Sequence, residues 1–313
     1  MNKFGKTYQL KDMIYDLSKD TTEELGSMYF EGYTKVHGTN AGVSYLDGVQ
    51  TPQSRNRDLS VSADNFGFAN WHSEHLAYFH GAFKFIEDVY GCKGQEIVIY
   101  GEWAGRGIQQ SVAVSEVPRF YYIFAIKVVR EGGDEWLTTF PKCLFTRTDI
   151  VSKKDVPSYG LMIDLNNPSL MTNALVAATD AVEEECPVGK YFGVTGVGEG
   201  IVWENITKGR RISFKVKGAA HTVNKCIVLA PVNEELLQSI KLFLDDVVTP
   251  ARLEQGVQET GGLAKGNIGK FLAWVVKDIQ DEEKLTIEAN GYGKELGRAV
   301  VAISKPWILS QFN

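Results

Sequence analysis

The sequence predicts an α+β protein, with an antiparallel-sheet domain followed by a small all-helical one. Three observations predict it. Over residues 29–228, short β-rich runs alternate with glycine-punctuated turns, the texture of antiparallel strands. Within that stretch, residues 70–90 carry Leu76, Phe79, Phe83, Ile86 and Val89 at helical spacing, as one amphipathic helix packed on a sheet would. After Pro231 the β-rich texture gives way to three apolar stripes of helical period. The boundary is therefore set near Pro231, giving domains 1–231 and 232–313; a single domain is the alternative.

Taken in order, Ala41-Gly42-Val43-Ser44-Tyr45-Leu46, Ile97-Val98-Ile99-Tyr100 and Tyr121-Tyr122-Ile123-Phe124 are the clearest strands. In the tail, Asn233 with Glu234 and Glu235 reads as a helix start, and Leu236, Leu237, Ile240 and Leu244 supply its apolar face. Thr249-Pro250 is a second start, threonine as cap and proline at the first helical position. Asn267 opens a third, with Ile268, Phe271, Leu272, Val275, Val276 and Ile279 on one stripe.

At 313 residues the chain is long enough for two domains with a buried core in the larger. Its 44% hydrophobic and 23% charged residues are those of a folded soluble protein. No apolar run approaches the ~20 residues of a membrane span, and Met1-Asn2-Lys3-Phe4-Gly5-Lys6 is unlike a signal peptide. Cys92, Cys143, Cys186 and Cys226 form no CxxC pair, and read as reduced packing residues of a cytoplasmic protein. The net charge of −6 argues against nucleic-acid binding by bulk electrostatics but not against a local groove, since affinity comes from the phosphates contacted. The densest basic cluster, Lys208-Gly209-Arg210-Arg211 with Lys215 and Lys217, is either a solvated hairpin tip or a phosphate-facing surface.

The residues able to carry chemistry recur along this frame. Lys35-Val36-His37-Gly38-Thr39-Asn40 places a lysine on a tight turn behind a strand. A lysine is a nucleophile only where cationic neighbours or a metal favour its neutral form, and alone this string is an ordinary turn. Arg55 follows twenty residues later in Ser54-Arg55-Asn56-Arg57; either arginine could fork onto a phosphate. Glu102 ends an apolar strand in Gly101-Glu102-Trp103-Ala104-Gly105. Phe124 lies in an aromatic run whose alternate residues face opposite ways. Glu199-Gly200-Ile201-Val202-Trp203 has a strand-borne carboxylate, with Glu204 a nearby competitor, and Lys215-Val216-Lys217 puts two lysines on one strand face.

In order and spacing, these six segments resemble the motifs of the covalent nucleotidyltransferases, the ATP-dependent polynucleotide ligases and mRNA capping enzymes. His37, Thr39 and Asn40 make the first segment most similar to the type 2, nick-sealing phage RNA ligases. The resemblance implies an ATP-grasp-like nucleotidyltransferase domain in which Lys35 becomes covalently linked to AMP. Val36, Asn40, Arg55, Glu102 and Phe124 would line the ATP site, with Phe124 stacked on adenine. Lys215 and Lys217 would grip the phosphates and supply the positive field around Lys35, while His37 orients the leaving pyrophosphate or the phosphate acceptor. Glu199, and Glu102 directly or through water, would hold Mg²⁺ or Mn²⁺. The implied partner is RNA with 3′-OH and 5′-phosphate ends, in particular a nicked duplex, handled by a monomer in the cytoplasm (a host's, if the source is viral). The chain departs from the pattern at Ala125, where relatives commonly carry Asp. Alternatives are a DNA ligase or capping guanylyltransferase, which usually continue into a β-rich OB-fold, and a catalytically degenerate RNA- or nucleotide-binding module.

Overall fold

The computed structural model describes residues 1–19, 25–142, 147–219 and 233–312, which fall into two compact units. One takes Met1–Met13, Tyr29–Leu161 and Leu175–Leu229, and the other takes Ile14–Met28, Met162–Ala174 and Ala230–Asn313. The division is thus not a single cut. Ile14–Met28 and Met162–Ala174 belong with the helical unit, although no shift in composition sets them apart. Pro231, Val228, Cys143 and Cys226 lie outside the described residues; Cys92 and Cys186 are free, buried thiols.

The first unit is mixed α+β with antiparallel sheets. α1 (Leu10–Lys19) is shared, its first four residues in this unit and the rest in the other; after it come β1 (Ser27–Thr34), β2 (Thr39–Leu46) and β3 (Val49–Ser54), then α2 (Phe68–Glu74) and α3 (Leu76–Tyr90). β4 (Ile97–Ala104), β5 (Phe120–Val128), β6 (Glu135–Leu137), β7 (Ile150–Ser152) and β8 (Tyr159–Asp164) follow. Helices α4 (Thr172–Glu184) and α5 (Pro187–Tyr191) precede the hairpin of β9 (Gly200–Thr207) and β10 (Arg210–Lys217). One sheet runs β3-β2-β4-β5-β6, with β7 a short parallel partner of β5; the other runs β10-β9-β1-β8.

Alternation sorts the six-stranded sheet into two faces. Ala41, Val43 and Tyr45 of β2 and Ile97, Ile99 and Trp103 of β4 enter one core with Phe68 of α2 and Phe79, Phe83 and Ile86 of α3. Val98 and Tyr100 look the other way, into a small cluster with Ala125. A bulge sits where Tyr100 pairs with Ala125 but Gly101 pairs with Ile123, so that Phe124 has no partner across the ladder. The parity of β5 changes there: Tyr121 and Ile123 face the helix-side core before the bulge, Ile126 and Val128 after it.

The single helix expected over residues 70–90 is two, broken at His75. There the backbone turns to φ −116°, ψ 10°, and the N–H donates to the His72 carbonyl. The ring nitrogens contact the Trp71 carbonyl oxygen (2.6 Å) and the Asp149 carboxylate (3.1 Å), and Trp71 Nε1 donates to the same carboxylate at 3.0 Å. The apolar stripe continues across the break, which is why periodicity alone does not reveal it.

In the helical unit, α6 (Glu234–Val247) is capped by Asn233, which accepts from the Leu236 N–H (2.9 Å), and α7 (Pro250–Glu259) by Thr249, which accepts from Arg252 (3.3 Å). Asn267 stands before α8 (Ile268–Glu282) but does not cap it; its Nδ2 donates to the Gly261 and Gly262 carbonyls. Two further helices, α9 (Lys284–Asn290) and α10 (Lys294–Ser310), follow the three that the stripes indicate. Pro306 lies inside α10, where proline ordinarily signals a stop. Leu244, Phe271, Val275, Ile279, Leu296 and Val300 form the centre of this unit's core. No helix among the described residues is long and apolar enough to cross a membrane. Because Phe271 is almost wholly buried there, Phe271→Ala is expected to destabilise the unit by about 3–5 kcal/mol, read as an earlier loss of helical circular dichroism in urea.

Candidate active site

β1 ends at Thr34, and Lys35 follows with its backbone N–H on the Gly200 carbonyl (2.8 Å). The connection to β2 passes so close to β4 that a Cβ at position 38 would sit 2.4 Å from the Trp103 carbonyl oxygen. Only glycine fits. The Gly38 peptide is held on both sides: its N–H donates to Glu102 Oε1 (3.2 Å), and its carbonyl accepts from Gln109 Nε2 (3.1 Å).

Glu199 immediately precedes β9 and is 2% exposed. The glycine after it is also required, since Gly200 has φ 142° and a Cβ there would lie 2.3 Å from the Val216 carbonyl oxygen. Three basic groups meet on the Glu199 carboxylate. Lys35 Nζ is 2.6 Å and His37 Nδ1 3.2 Å from Oε2, and Lys217 Nζ is 2.6 Å from Oε1. Burial works to raise the Glu199 pKa, but the His37 hydrogen bond and the two lysines outweigh it and hold the carboxyl far below its ordinary range. Glu102 behaves oppositely. Burial, reinforced by the Glu199 charge, pushes its pKa up to about 7, against the pull of Lys35, the Gly38 N–H and His37.

These residues line one cavity of about 570 Å³, a size ordinary for a small-ligand site. Val36, Asn40, Arg55, Phe124 and Lys215 line it too, so every site residue read from the sequence reaches this one space. Arg57 does not; its guanidinium bonds the Ala63 and Asp64 carbonyls. The register places Lys215 opposite Val202 and Lys217 opposite Gly200 on the hairpin. Phe124 shares the cavity face with Tyr122 by strand alternation, and at the bulge it has no cross-strand partner. Ala125 is buried against Val98 and Tyr100 and is not in the cavity wall.

The structure adds Lys153, which sequence reasoning passed over, and joins it to Glu204, read only as a competitor of Glu199, and to Arg211 of the basic cluster. Lys153 and Glu204, 2% and 6% exposed, form a buried ion pair, and Arg211 Nε donates to the other Glu204 oxygen at 2.9 Å. All three line the cavity. Burial pushes the Lys153 pKa down to about 8 even though Glu204 pulls the other way. The basic cluster of residues 208–211 is therefore divided: Lys208 and Arg210 are exposed at the turn, while Arg211 faces inward. The available signal was strand parity, which puts Glu204 on the face of Val202. Phe4 and Lys6 also line the cavity, and nothing in their local sequence marks them.

Among the described residues, no cluster of three or more His, Cys, Asp or Glu side chains is placed to hold a metal ion. Magnesium needs only one or two carboxylates where phosphate oxygens and waters complete its shell, and Glu102 and Glu199 both line the cavity. Three bases already contact the Glu199 oxygens, so an ion bound there would share the carboxylate with them.

The RNA ligase family profile matches residues 29–217, more than half of the chain and all of the segments above, and the chain belongs to that family. No curated protein matches it. Among solved structures it is similar to a lysine-to-alanine variant of Naegleria gruberi RNA ligase with ATP and Mn, at 17% identity and TM-score 0.46, over 71% of this chain and 56% of that one. A second structure of the same ligase, with PPi, matches at 20% identity and TM-score 0.44, over 71% and 57%. The chain spans little more than half the length of those ligases.

The opposed shifts of the two carboxylates make stability depend on pH. Because the folded state holds the Glu102 proton up to about pH 7 while the unfolded value is 4.5, the folded state binds more protons between those limits, and Glu102 reduces stability as pH rises through them. Glu102→Gln is therefore expected to be the more stable protein at pH 8, by on the order of 2 kcal/mol. The advantage should shrink towards zero near pH 4.5, as checked by urea denaturation across that range.

Proposed function

We propose that this protein is an ATP-dependent RNA ligase that joins 3′-OH and 5′-phosphate ends. The observation that carries the reading is the meeting of Lys35, His37 and Lys217 on buried Glu199, in a cavity that also presents Lys215, Arg55 and Phe124. Transfer of AMP concentrates negative charge on phosphate oxygens, so the site must supply cations and fixed donors. Lys35 Nζ attacks the α-phosphorus of ATP, the bond to pyrophosphate breaks, and Lys35 carries AMP through a phosphoramidate. AMP passes to the RNA 5′-phosphate, releasing Lys35, and the 3′-hydroxyl then displaces AMP to form the phosphodiester. Lys215, Lys217 and Arg55 hold phosphate oxygens, His37 orients the leaving or accepting phosphate, and Phe124 offers a ring face to adenine. Val36 and Asn40 complete the wall of the nucleotide site. A Mg²⁺ or Mn²⁺ ion, held by Glu199 and by Glu102 directly or through water, would screen the phosphate charge.

On this reading residues 1–231 carry nucleotidyl transfer, and residues 232–313 hold a nicked duplex. That tail has nine Lys and Arg against twelve Asp and Glu, so it would act through a few placed side chains on shape, phosphate and 2′-OH. The protein would act as a monomer in the cytoplasm.

Incubation with Mg²⁺ and ATP labelled at the α-phosphate should give an acid-labile adenylylated protein, and Lys35→Ala should give none. Label that survives the substitution rejects the nucleophile, and label from GTP alone favours a capping reaction. Nicked duplex RNA should be sealed faster than single strands of the same sequence; equal rates would reject the nick as substrate.

A further inference from the structure

The cavity has one wall that neither the sequence motifs nor the reaction above account for. It is made by the first residues of the chain. Asn2 is tied to the six-stranded sheet at three strands: its carbonyl accepts from Gln53 Nε2 of β3 (2.8 Å) and Tyr100 Oη of β4 (2.9 Å), and its Oδ1 from buried Lys127 of β5 (2.6 Å). Tyr8 is tied to the four-stranded sheet, pairing with Phe214 of β10 and accepting from the Lys215 N–H at 2.9 Å. Between the two anchors, residues 4–7 line the cavity. The segment thus spans from one sheet to the other along the site.

Its one apolar side chain in that span, Phe4, meets Phe124 edge-on, with ring centroids 4.9 Å apart at 70°. It also packs on Tyr100 (5.1 Å) and Trp136 (5.8 Å), and the Arg211 guanidinium lies 5.1 Å over its ring. Phe124 is the bulged residue of β5, with no cross-strand neighbour, so the ladder does not fix its ring as it fixes those on either side. The edge contact from Phe4 does.

We infer that residues 2–8 are a strap that completes the nucleotide cavity, and that Phe4 is a positioning residue acting through Phe124. The inference rests on the reading of the cavity as an ATP site. Phe4 touches no reacting atom; it sets the angle of the ring on which the base rests. Loss of Phe4 should weaken the hold on ATP and leave the chemical step alone.

The test is the rate of lysyl-AMP formation as a function of ATP concentration for wild type, Phe4→Ala and Phe4→Tyr, together with backbone hydrogen exchange over residues 2–8 with and without ATP and Mg²⁺. Phe4→Ala should raise the KM for ATP about tenfold, with the rate at saturating ATP within about twofold of wild type. Phe4→Tyr, which keeps the ring, should restore KM, and ATP should slow exchange across the strap in the wild type. A merely structural role would lower the melting temperature without this split between KM and rate. Wild type that binds ATP while Phe4→Ala matches it in KM overturns the strap alone. Wild type that binds no ATP overturns the strap together with the reading beneath it. Should Phe4→Ala fail to fold, the exchange experiment on the wild type decides: slowed exchange supports the strap and unchanged exchange overturns it.

Discussion

Three bases from two distant stretches of chain meet on a single carboxylate that water scarcely reaches. Glu199 binds Lys35 and His37, which follow β1, and Lys217, which ends β10. A buried carboxylate is tolerated only where it is paired and hydrogen-bonded, and removing a partner from such a pair typically costs 3–5 kcal/mol. The neighbourhood of β10, β9 and β1 in one sheet is what brings these groups together, and the close backbone approach at Gly200 lets the carboxylate sit at the strand's start. The same constraint gives the site its chemistry. On the proposed reading, a phosphate would meet cations already gathered on Glu199, preorganisation of the kind that lowers barriers in charge-separating transfers.

The second sheet contributes through an irregularity. By alternation residue 124 shares the face of Tyr122, which also lines the cavity. The bulge at Tyr100 and Gly101 shifts the parity of the residues beyond it and leaves Phe124 without a partner across the ladder. The cavity accordingly differs along its length: charge around Glu199, an aromatic and aliphatic stretch at Phe124 and Val202, and a second buried ionic group at Lys153, Glu204 and Arg211. Buried ion pairs seldom add stability over an apolar replacement, but loss of one partner leaves an uncompensated buried charge.

Much of this arrangement was legible in the residues, and the limits of legibility have physical causes. Lys35, Glu102, Glu199 and Lys217 stand in short segments where glycine is required by close backbone approach, as at Gly38 and Gly200, so local sequence carries their geometry. Lys153 and Phe4 lie where nothing local is unusual; their roles come from strand register and from a chain segment crossing between sheets, neither of which a linear pattern encodes. Glu204 reads in the sequence only as a competitor of Glu199, yet parity places it on the cavity face with Val202. At the helix break His75 contacts Asp149, over seventy residues away. The helical tail read well at Asn233 and Thr249, where a side chain caps its own helix, and less well at Asn267, where the same residue type braces a preceding loop.

Position 125 shows how one departure from a familiar pattern is absorbed. A carboxylate there would lie with Val98 and Tyr100 in a buried cluster against which Phe4, Phe124 and Trp136 pack, with the Lys127 ammonium already committed to Asp134 and Asn2. It would be a charge in largely apolar surroundings, which is costly unless paired and hydrogen-bonded. Alanine avoids that cost. The polar character of this end of the cavity is carried by Lys153, Glu204 and Arg211, whose charges are mutually paired. The apolar cluster at 125 and the buried ionic group are thus two halves of one solution, joined where the Arg211 guanidinium lies over Phe4 and Trp136.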